Sequence, residues 1–302
     1  MSSNHFADEL ISRVRSLGHP LCVGLDPYLD RIPPPFRCGS MAIGDPRTSD
    51  AVADFLGAVI DRLSGKVAVI KPQIALFEQL DWRGMRMLEG ILDRARKQHL
   101  LVLLDAKRGD IGATAEGYAQ AYLDPSSSMS VDAMTVNPYM GRDAIEPFVR
   151  WAEQARRGVF VLVRNSNPGS SDYQCLATGK GLLFEVVADS LREIEERLLA
   201  PQTKWSSLGI TVAATYPDDS DRIRTILPRT LFLVLGYGAQ GGTASEAVRG
   251  FVQGPNGMEG GLVNASRTVL FPADGMTDNI AQWEGAFDLA VDQAISALRQ
   301  VV

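Results

Sequence analysis

The sequence is poor in the residues that commonly hold metals and disulfides. It has three cysteines and three histidines in 302 residues. No Cys-x-x-Cys pair occurs, and no two histidines have helical metal-binding spacing. This pattern excludes a disulfide framework and the usual zinc sites. It predicts no metal ligands and favours a reducing compartment, the cytoplasm.

Excess positive charge and long apolar runs are also missing. Lys and Arg number 30 against 36 Asp and Glu, which gives a net charge of −6 and a pI near 5.2. Without a basic patch, a nucleic-acid partner is not expected. The first ten residues lack a signal-peptide core, and no window approaches a membrane-spanning length. We therefore expect a soluble, unexported protein with no membrane partner, which binds any anionic ligand through a local group of residues.

Short apolar runs alternate with amphipathic segments along the whole chain. Such alternation predicts eight strand–helix units, preceded by an N-terminal helix over 6–16. The predicted strands cover 20–26, 67–73, 100–104, 131–137, 159–164, 209–214, 231–235 and 261–267. The predicted helices cover 49–63, 82–98, 114–123, 142–156, 182–199, 218–227 and 278–298. The Pro-rich stretch 31–36 and a polar insertion over 165–180 are predicted loops.

Eight such units favour an α/β fold of the (β/α)8 TIM-barrel type, with a single domain over residues 1–302. An open doubly wound sheet is the alternative, because periodicity does not report whether a sheet closes. Polar residues favour the barrel, since several fall at or just after a strand end and a barrel gathers them at one mouth. These residues are Asp26, Lys71, Asp105, Lys107, Asn137 and Arg267.

The most informative stretch is the apolar run Leu100–Leu104, which ends abruptly in charge. On an extended backbone Asp105 and Lys107 project to the same side, and Asp110 can fold back after Gly109. We expect one lysine held between two carboxylates. An exposed ion pair would contribute only ~0–1 kcal/mol. Charges placed against a buried strand instead favour a catalytic role.

A glycine-rich turn, Gly236–Thr243, follows the seventh strand and opens a helix. Glycine N–H groups and a helix N-terminus attract anions. Arg267, at the end of the eighth strand, can grip a phosphate bidentately. The loops after strands seven and eight are where barrels often bind phosphate. The alternatives are a structural turn and an ion pair between Arg267 and Glu246.

These motifs together resemble a known family. Asp105-Ala-Lys107-Arg-Gly-Asp110-Ile-Gly-Ala-Thr114 resembles the Asp-x-Lys-x-x-Asp signature of orotidine 5′-phosphate decarboxylase. The other matching motifs are Val-Gly-Leu-Asp26, Ile-Lys71-Pro-Gln73, Gly238-Ala-Gln240-Gly241-Gly and Asn264-Ala-Ser-Arg267. The match runs in the expected order from about residue 20 to 271, and the chain is similar to the longer-chain bacterial-type branch.

The resemblance implies cofactor-free and metal-free decarboxylation of orotidine 5′-monophosphate to UMP in pyrimidine synthesis. Lys107 would donate the proton to C6, Asp105 would adjoin the substrate carboxylate, and Lys71 and Asp110 would complete an alternating charge network.

Substrate contacts are implied in the same way. Asp26 and Lys71 would hold the ribose, while Gln240 and Arg267, with Gly238 and Gly241, would bind the phosphate. Gln73 and Asn137 are candidates for the pyrimidine. The family also implies a homodimer in which Asp110 and Thr114 reach the partner's site.

Two other functions fit parts of the pattern. A sugar-phosphate aldolase would use Lys107 or Lys71 as a Schiff-base nucleophile. Against it, that chemistry needs a lowered lysine pKa, whereas adjacent carboxylates raise it. A non-catalytic phosphate-ligand protein would use the glycine turn and Arg267 and leave the charge network unused.

Overall fold

A computed structural model describes residues 5–302 of the chain. Eight parallel strands close into a barrel, in the spatial order β1-β8-β7-β6-β5-β4-β3-β2. The strands are β1 (Leu21–Leu25), β2 (Val69–Pro72), β3 (Leu101–Arg108), β4 (Ala133–Val136), β5 (Gly158–Val161), β6 (Ser206–Ala213), β7 (Thr230–Leu235) and β8 (Gly261–Ala265). The predicted TIM barrel is confirmed, and the open sheet is excluded.

Helices surround the barrel and fill the connections between its strands. They are α1 (Phe6–Leu17), α2 (Pro46–Leu63), α3 (Ala75–Glu78), α4 (Asp81–Lys97), α5 (Gly112–Leu123), α6 (Arg142–Ala155), α7 (Ser171–Gln174), α8 (Leu183–Ser190), α9 (Arg192–Arg197), α10 (Pro217–Ile226), α11 (Ala244–Ala247), α12 (Arg267–Leu270) and α13 (Ile280–Arg299). Within residues 5–302, no helix is long and apolar enough to cross a membrane.

Side chains and helix α1 fill the N-terminal end of the barrel. Leu103, Leu233 and Leu262 pack together inside the barrel with residues of α1. The ring of Phe6 meets that of Phe160 edge-on at 6.1 Å, and the Ala7 N–H donates to Ser207 Oγ. The polar residues at the strand C-termini therefore lie at the opposite, open end.

The predicted helix over 182–199 is wrong as a single element, because it divides into α8 and α9 at Leu191. Ser190 Oγ donates to the Val187 carbonyl, and the Leu191 N–H donates to the Ala188 carbonyl. A serine that bonds back to its own helix, together with a tightened last turn, bends or ends the helix. The apolar periodicity continues through this break, which is why it predicted one helix.

The loop predicted over 165–180 has more structure than expected. It contains a 3-10 turn over Pro168–Ser170, helix α7 and one strand of a small hairpin, Ala177–Thr178 paired with Gly181–Leu182. A second hairpin pairs Val252–Gly254 with Gly257–Glu259. The stretch 31–36 is a loop as predicted, with 3-10 turns over Leu29–Arg31 and Pro34–Phe36.

Candidate active site

Asp105 lies at the centre of a group of charges at the open end of the barrel. Its Oδ2 accepts from Lys71 Nζ at 3.0 Å and from Gln73 Nε2 at 3.0 Å. Its Oδ1 accepts from Lys107 Nζ at 2.5 Å and from Thr135 Oγ1 at 3.0 Å. Four donors therefore fix the carboxylate, three from β2, β3 and β4 and one from Gln73, the residue after β2.

Burial and charge act in opposite directions on this group. Burial alone would raise the pKa of Asp105, but the ammonium groups of Lys71 and Lys107 hold it well below its usual range. Burial alone would lower the pKa of Lys71, but the carboxylates of Asp105 and Asp26 raise it above its usual range. Asp105 is thus anionic and Lys71 cationic at neutral pH.

An irregularity in β3 brings Lys107 into this group. Leu104 pairs with Met134 and Arg108 pairs with Val136, so four steps along β3 match two along β4. Lys107 lies in this bulge with a left-handed φ of 47°. Its N–H donates to Thr135 Oγ1 at 2.9 Å. For a residue with a side chain that conformation costs about 1–2 kcal/mol, and the Thr135 contact helps to hold it.

The expectation that Asp110 folds back onto Lys107 within its own chain is wrong. Among the described residues, Asp110 contacts only the N–H of Ile111, through its Oδ1 at 2.8 Å. The arrangement is therefore one carboxylate between two lysines, rather than one lysine between two carboxylates.

The β1 and β8 side of the mouth presents unsatisfied acceptors. Asp26 Oδ1 and Asn264 Oδ1 are shielded from solvent and have no hydrogen-bond partner within residues 5–302. The strands are so close here that a Cβ on Gly24 would lie 1.9 Å from Ser266 Oγ. Buried acceptors without partners are rare. Such oxygens are candidate acceptors for the hydroxyl groups of a ligand.

The glycine-rich turn and Arg267 come together as expected. Gly236, Gly238 and Gly241 have positive φ, and a Cβ on Gly238 would lie 3.5 Å from Thr268 Cγ2. Arg267 is half-buried and forms no ion pair in the described part of the chain. Gln240 is exposed on the turn.

Two details of the phosphate prediction need correction. The N–H groups of Gly238 and Gly241 donate within the turn, to the carbonyls of Gly242 and Gly238. Helix α11 has only four residues, and Glu246 caps it by accepting from Thr243 N and Oγ1. The helix therefore contributes little dipole to an anion. Because Glu246 is occupied, the alternative pairing with Arg267 does not form.

The remaining candidates occupy separate positions around the mouth. Gln73 is bonded to Asp105, which is a contact that the sequence did not predict. Asn137 is exposed after β4, accepts from the Tyr139 N–H, and lines a cavity of about 610 Å³. Thr114 is exposed on the first turn of α5, away from the charges. No group of three potential metal-ligating side chains occurs within 5–302.

Comparison with known proteins agrees with this architecture. The sequence profile of the Orotidine 5′-phosphate decarboxylase / HUMPS family matches residues 19–275. The chain belongs to this family. The orotidine 5′-phosphate decarboxylase of Rhodopirellula baltica is 38% identical over 270 residues, which cover 88% of each chain. That of Haloarcula marismortui is 38% identical over 300 residues, covering 98% of each. The solved Leishmania donovani OMP decarboxylase matches with a TM-score of 0.74 at 28% identity, over 99% of this chain and 100% of that one.

In this family member, Thr135 is the site residue that sequence reasoning missed. It bonds both the Asp105 carboxylate and the Lys107 backbone. The available signal was a single hydroxyl residue within the apolar run of the fourth strand. Side chains alternate between the two faces of a strand, and the position of Thr135 in that pattern, facing the barrel interior, could have identified it.

Proposed function

We propose that this chain converts orotidine 5′-monophosphate into UMP and carbon dioxide, the last step of de novo pyrimidine synthesis. The observation that carries the proposal is the Asp105 carboxylate fixed between Lys71 and Lys107 at the open end of the barrel. The family relationship supports the same reaction. The odd number of unpaired cysteines fits a reducing, cytoplasmic location.

Lys107 is the proton donor in this proposal. The bond between C6 and the carboxylate breaks, carbon dioxide leaves, and the electron pair stays on C6. The ammonium group of Lys107 stabilises that charge and then gives C6 a proton. Solvent returns a proton to Lys107, so each turnover consumes one proton and needs no other reactant.

Asp105 has two roles in this reaction. It holds the Lys107 amino group at 2.5 Å and so orients it. Its own negative charge lies where the substrate carboxylate would approach, and it repels that group until carbon dioxide departs. Lys71, 3% exposed, neutralises the other Asp105 oxygen. Destabilisation of a bound substrate is a recognised but debated contribution.

The rest of the nucleotide fits the remaining groups. Arg267 and Gln240 bind the phosphate beside the turn of Gly238 and Gly241, and Asp26 accepts from ribose hydroxyls next to Lys71. Binding energy from the phosphate, remote from the reacting bond, can order the site for reaction. Asn137 and Gln73 remain our candidates for contacts to the pyrimidine.

The charges weigh against the aldolase alternative. A Schiff-base lysine must lose its proton near neutral pH. The neighbouring carboxylates instead raise the pKa of Lys71, against the effect of its burial. Borohydride trapping with a ketose phosphate would separate the two enzymes, because only an aldolase would form the reduced covalent adduct.

The decisive experiment follows the absorbance of orotidine 5′-monophosphate incubated with the purified protein in EDTA. We expect complete conversion to UMP, with no loss of rate after exhaustive chelation. No absorbance change would exclude the decarboxylase, and activity that requires added metal would exclude a metal-free mechanism.

We also propose that the enzyme is a homodimer whose two sites share residues. Asp110 has no charged partner in its own chain within 5–302. Ile111 is 58% exposed, and Gly112, Ala113 and Thr114 are exposed after it. A surface of this kind can lie against a second copy and direct Asp110 and Thr114 into its site.

A further inference from the structure

The segment 165–180 forms one wall of the cavity that Asn137 also lines. Asn165, Tyr173 and Gln174 face this cavity, whose volume is about 610 Å³ and whose lining is mostly apolar. Asn165 N donates to Gln174 Oε1 at 2.9 Å, and Asn165 Oδ1 accepts from Thr211 Oγ1 at 3.1 Å. The segment is therefore a folded structure with its own internal bonds.

The order of the strands indicates which part of the substrate lies nearest this wall. With phosphate over β7 and β8, ribose near β1, and the reacting carbon beside Lys107 on β3, the sector left for the far edge of the base is above β4, β5 and β6. The first residues of the segment leave β5 within that sector. Ser166 Cβ lies 3.1 Å from the place of a Cβ on Gly236, so this wall also meets the phosphate turn.

Arg164, the residue before this segment, binds the segment to a neighbouring part of the barrel. Its side chain is only 2% exposed. Its Nε donates to Asp219 Oδ2 at 2.8 Å, and its Nη1 donates to Ser170 Oγ at 2.5 Å. The guanidinium carbon lies 3.9 Å from the centroid of the Tyr216 ring. One buried side chain thus joins the segment to Tyr216, in the turn after β6, and to Asp219, in the first turn of α10.

These contacts suit arginine and no other residue. A planar guanidinium can donate in two directions while it stacks on an aromatic ring, which a lysine ammonium cannot do. The Asp219 carboxylate balances the charge that burial would otherwise penalise. The buried guanidinium of Arg164 already donates to Asp219 and Ser170, so we do not assign it as a ligand for phosphate.

We propose that Arg164 is a positioning residue, which holds segment 165–180 as a fixed wall against the base of the nucleotide. The inference rests on the proposed decarboxylase function and adds a determinant of base recognition to it. Loss of the bond between Arg164 and Ser170 would free the wall and weaken binding of the base, while the phosphate and ribose contacts would persist.

The test compares two competitive inhibitors of decarboxylation, UMP and ribose 5-phosphate, which lacks the base. In Arg164→Met we expect the affinity for UMP to fall about tenfold, which corresponds to about 1.4 kcal/mol of lost base contacts. The affinity for ribose 5-phosphate should change less than about twofold. Ser170→Ala removes only the bond to the segment and should shift the same ratio in the same direction.

Arg192→Met is the matched control, because Arg192 lies on α9, half exposed, in an ion pair with Asp189. It should change neither affinity. If Arg164→Met and Ser170→Ala leave both affinities unchanged, or lower both equally, the positioning role is wrong. If the unmodified protein does not consume orotidine 5′-monophosphate, the proposed function itself has failed, which is a separate outcome.

Discussion

At the residue scale, the carboxylate of Asp105 determines what its two lysines can do. Lys71 is buried and bonded to one oxygen, whereas the side chain of Lys107 is 38% exposed and bonded to the other. Only Lys107 can therefore meet a substrate and exchange its proton with solvent. This difference supports the proposed roles of Lys107 as the proton donor and of Lys71 as the lysine that balances charge.

Replacing Lys107 with alanine should abolish turnover without abolishing nucleotide binding. We expect kcat to fall by at least about 10²- to 10⁴-fold, the usual contribution of a general acid. The dissociation constant for UMP should change only a few-fold, because no phosphate contact is lost. Steady-state kinetics and calorimetry measure the two effects. Lys97→Ala, at an exposed ion pair with Asp93, is the control. A variant at Lys107 with normal kcat would disprove its role.

Arg267→Ala should instead weaken binding. The affinity for UMP should fall about tenfold to a hundredfold, the value of one or two charge-assisted hydrogen bonds. Stability should hardly change, since Arg267 has no ion-pair partner among residues 5–302. Calorimetric titration with UMP tests this, with Arg249→Ala, at a surface ion pair with Asp221, as control. Unchanged UMP affinity would exclude Arg267 as the phosphate ligand.

His19 should make folding sensitive to mild acid. Burial, reinforced by the charge of Arg299, lowers the pKa of His19 from 6.5 to about 4. Between pH 6.5 and pH 4, the His19 imidazole is protonated in the unfolded chain but stays neutral in the folded protein. The contribution of this imidazole to the free energy of unfolding is thus complete above pH 6.5 and is lost progressively as the pH falls from 6.5 to 4.

His19→Asn should remove that part of the pH dependence, while Asn Oδ1 can still accept from the Leu21 N–H as Nδ1 does. Urea unfolding at pH 7, 5 and 4 measures it. The gap in stability between the variant and the parent should narrow as the pH falls. Parallel pH profiles for the two proteins would show that His19 does not contribute.

At the scale of the element, the bulge in β3 sets the geometry of the site. It allows Asp105 to point into the barrel while Lys107 turns back toward the same carboxylate with a left-handed φ. An unbroken strand would place the Lys107 backbone in the ladder with β4. Strained backbone at a reacting residue is common where the surroundings hold it in place.

The bulge predicts an inverted order of stability for two inactive variants. Glycine in a regular strand costs about 0.5–1 kcal/mol relative to alanine. At a left-handed position alanine is strained, so Lys107→Gly should be more stable than Lys107→Ala by about 1 kcal/mol. Both variants lack the amine, so urea midpoints compare the backbone alone. If the alanine variant is the more stable, the left-handed conformation is not required.

The elements were largely predictable, and their irregularities were not. All eight barrel strands overlap the apolar runs, because strands buried on both faces must be continuously apolar. The meeting of Lys71, Asp105 and Lys107 followed from strand-end positions. The choice of Asp105 as the shared partner depends on the bulge, and the end of α8 depends on the Ser190 hydroxyl. Neither the bulge nor the Ser190 hydrogen bond changes the hydrophobic periodicity of the sequence, so neither could be predicted from it.

At the scale of the whole molecule, the dimer proposal can be tested by complementation. Chains carrying Lys107→Ala are mixed with chains carrying Asp110→Ala, each inactive alone. If Asp110 serves the neighbouring site, a mixed dimer has one site with both lesions and one with none. Random exchange should then restore roughly a quarter of the sites. Co-purification of differently tagged chains confirms exchange, and no activity after confirmed exchange would place Asp110 in its own site.

Helix α1 and the side chains of Leu103, Leu233 and Leu262 fill the N-terminal end of the barrel. The site therefore opens to solvent at the C-terminal ends of the strands. In the proposed reaction, the nucleotide, carbon dioxide and the proton that restores Lys107 all pass through that opening. In the proposed binding mode, a UMP anchored over β7 and β8 occupies the path of the next substrate. Release of UMP would then have to precede the next binding event, and UMP would inhibit by occupying the entrance as well as the site.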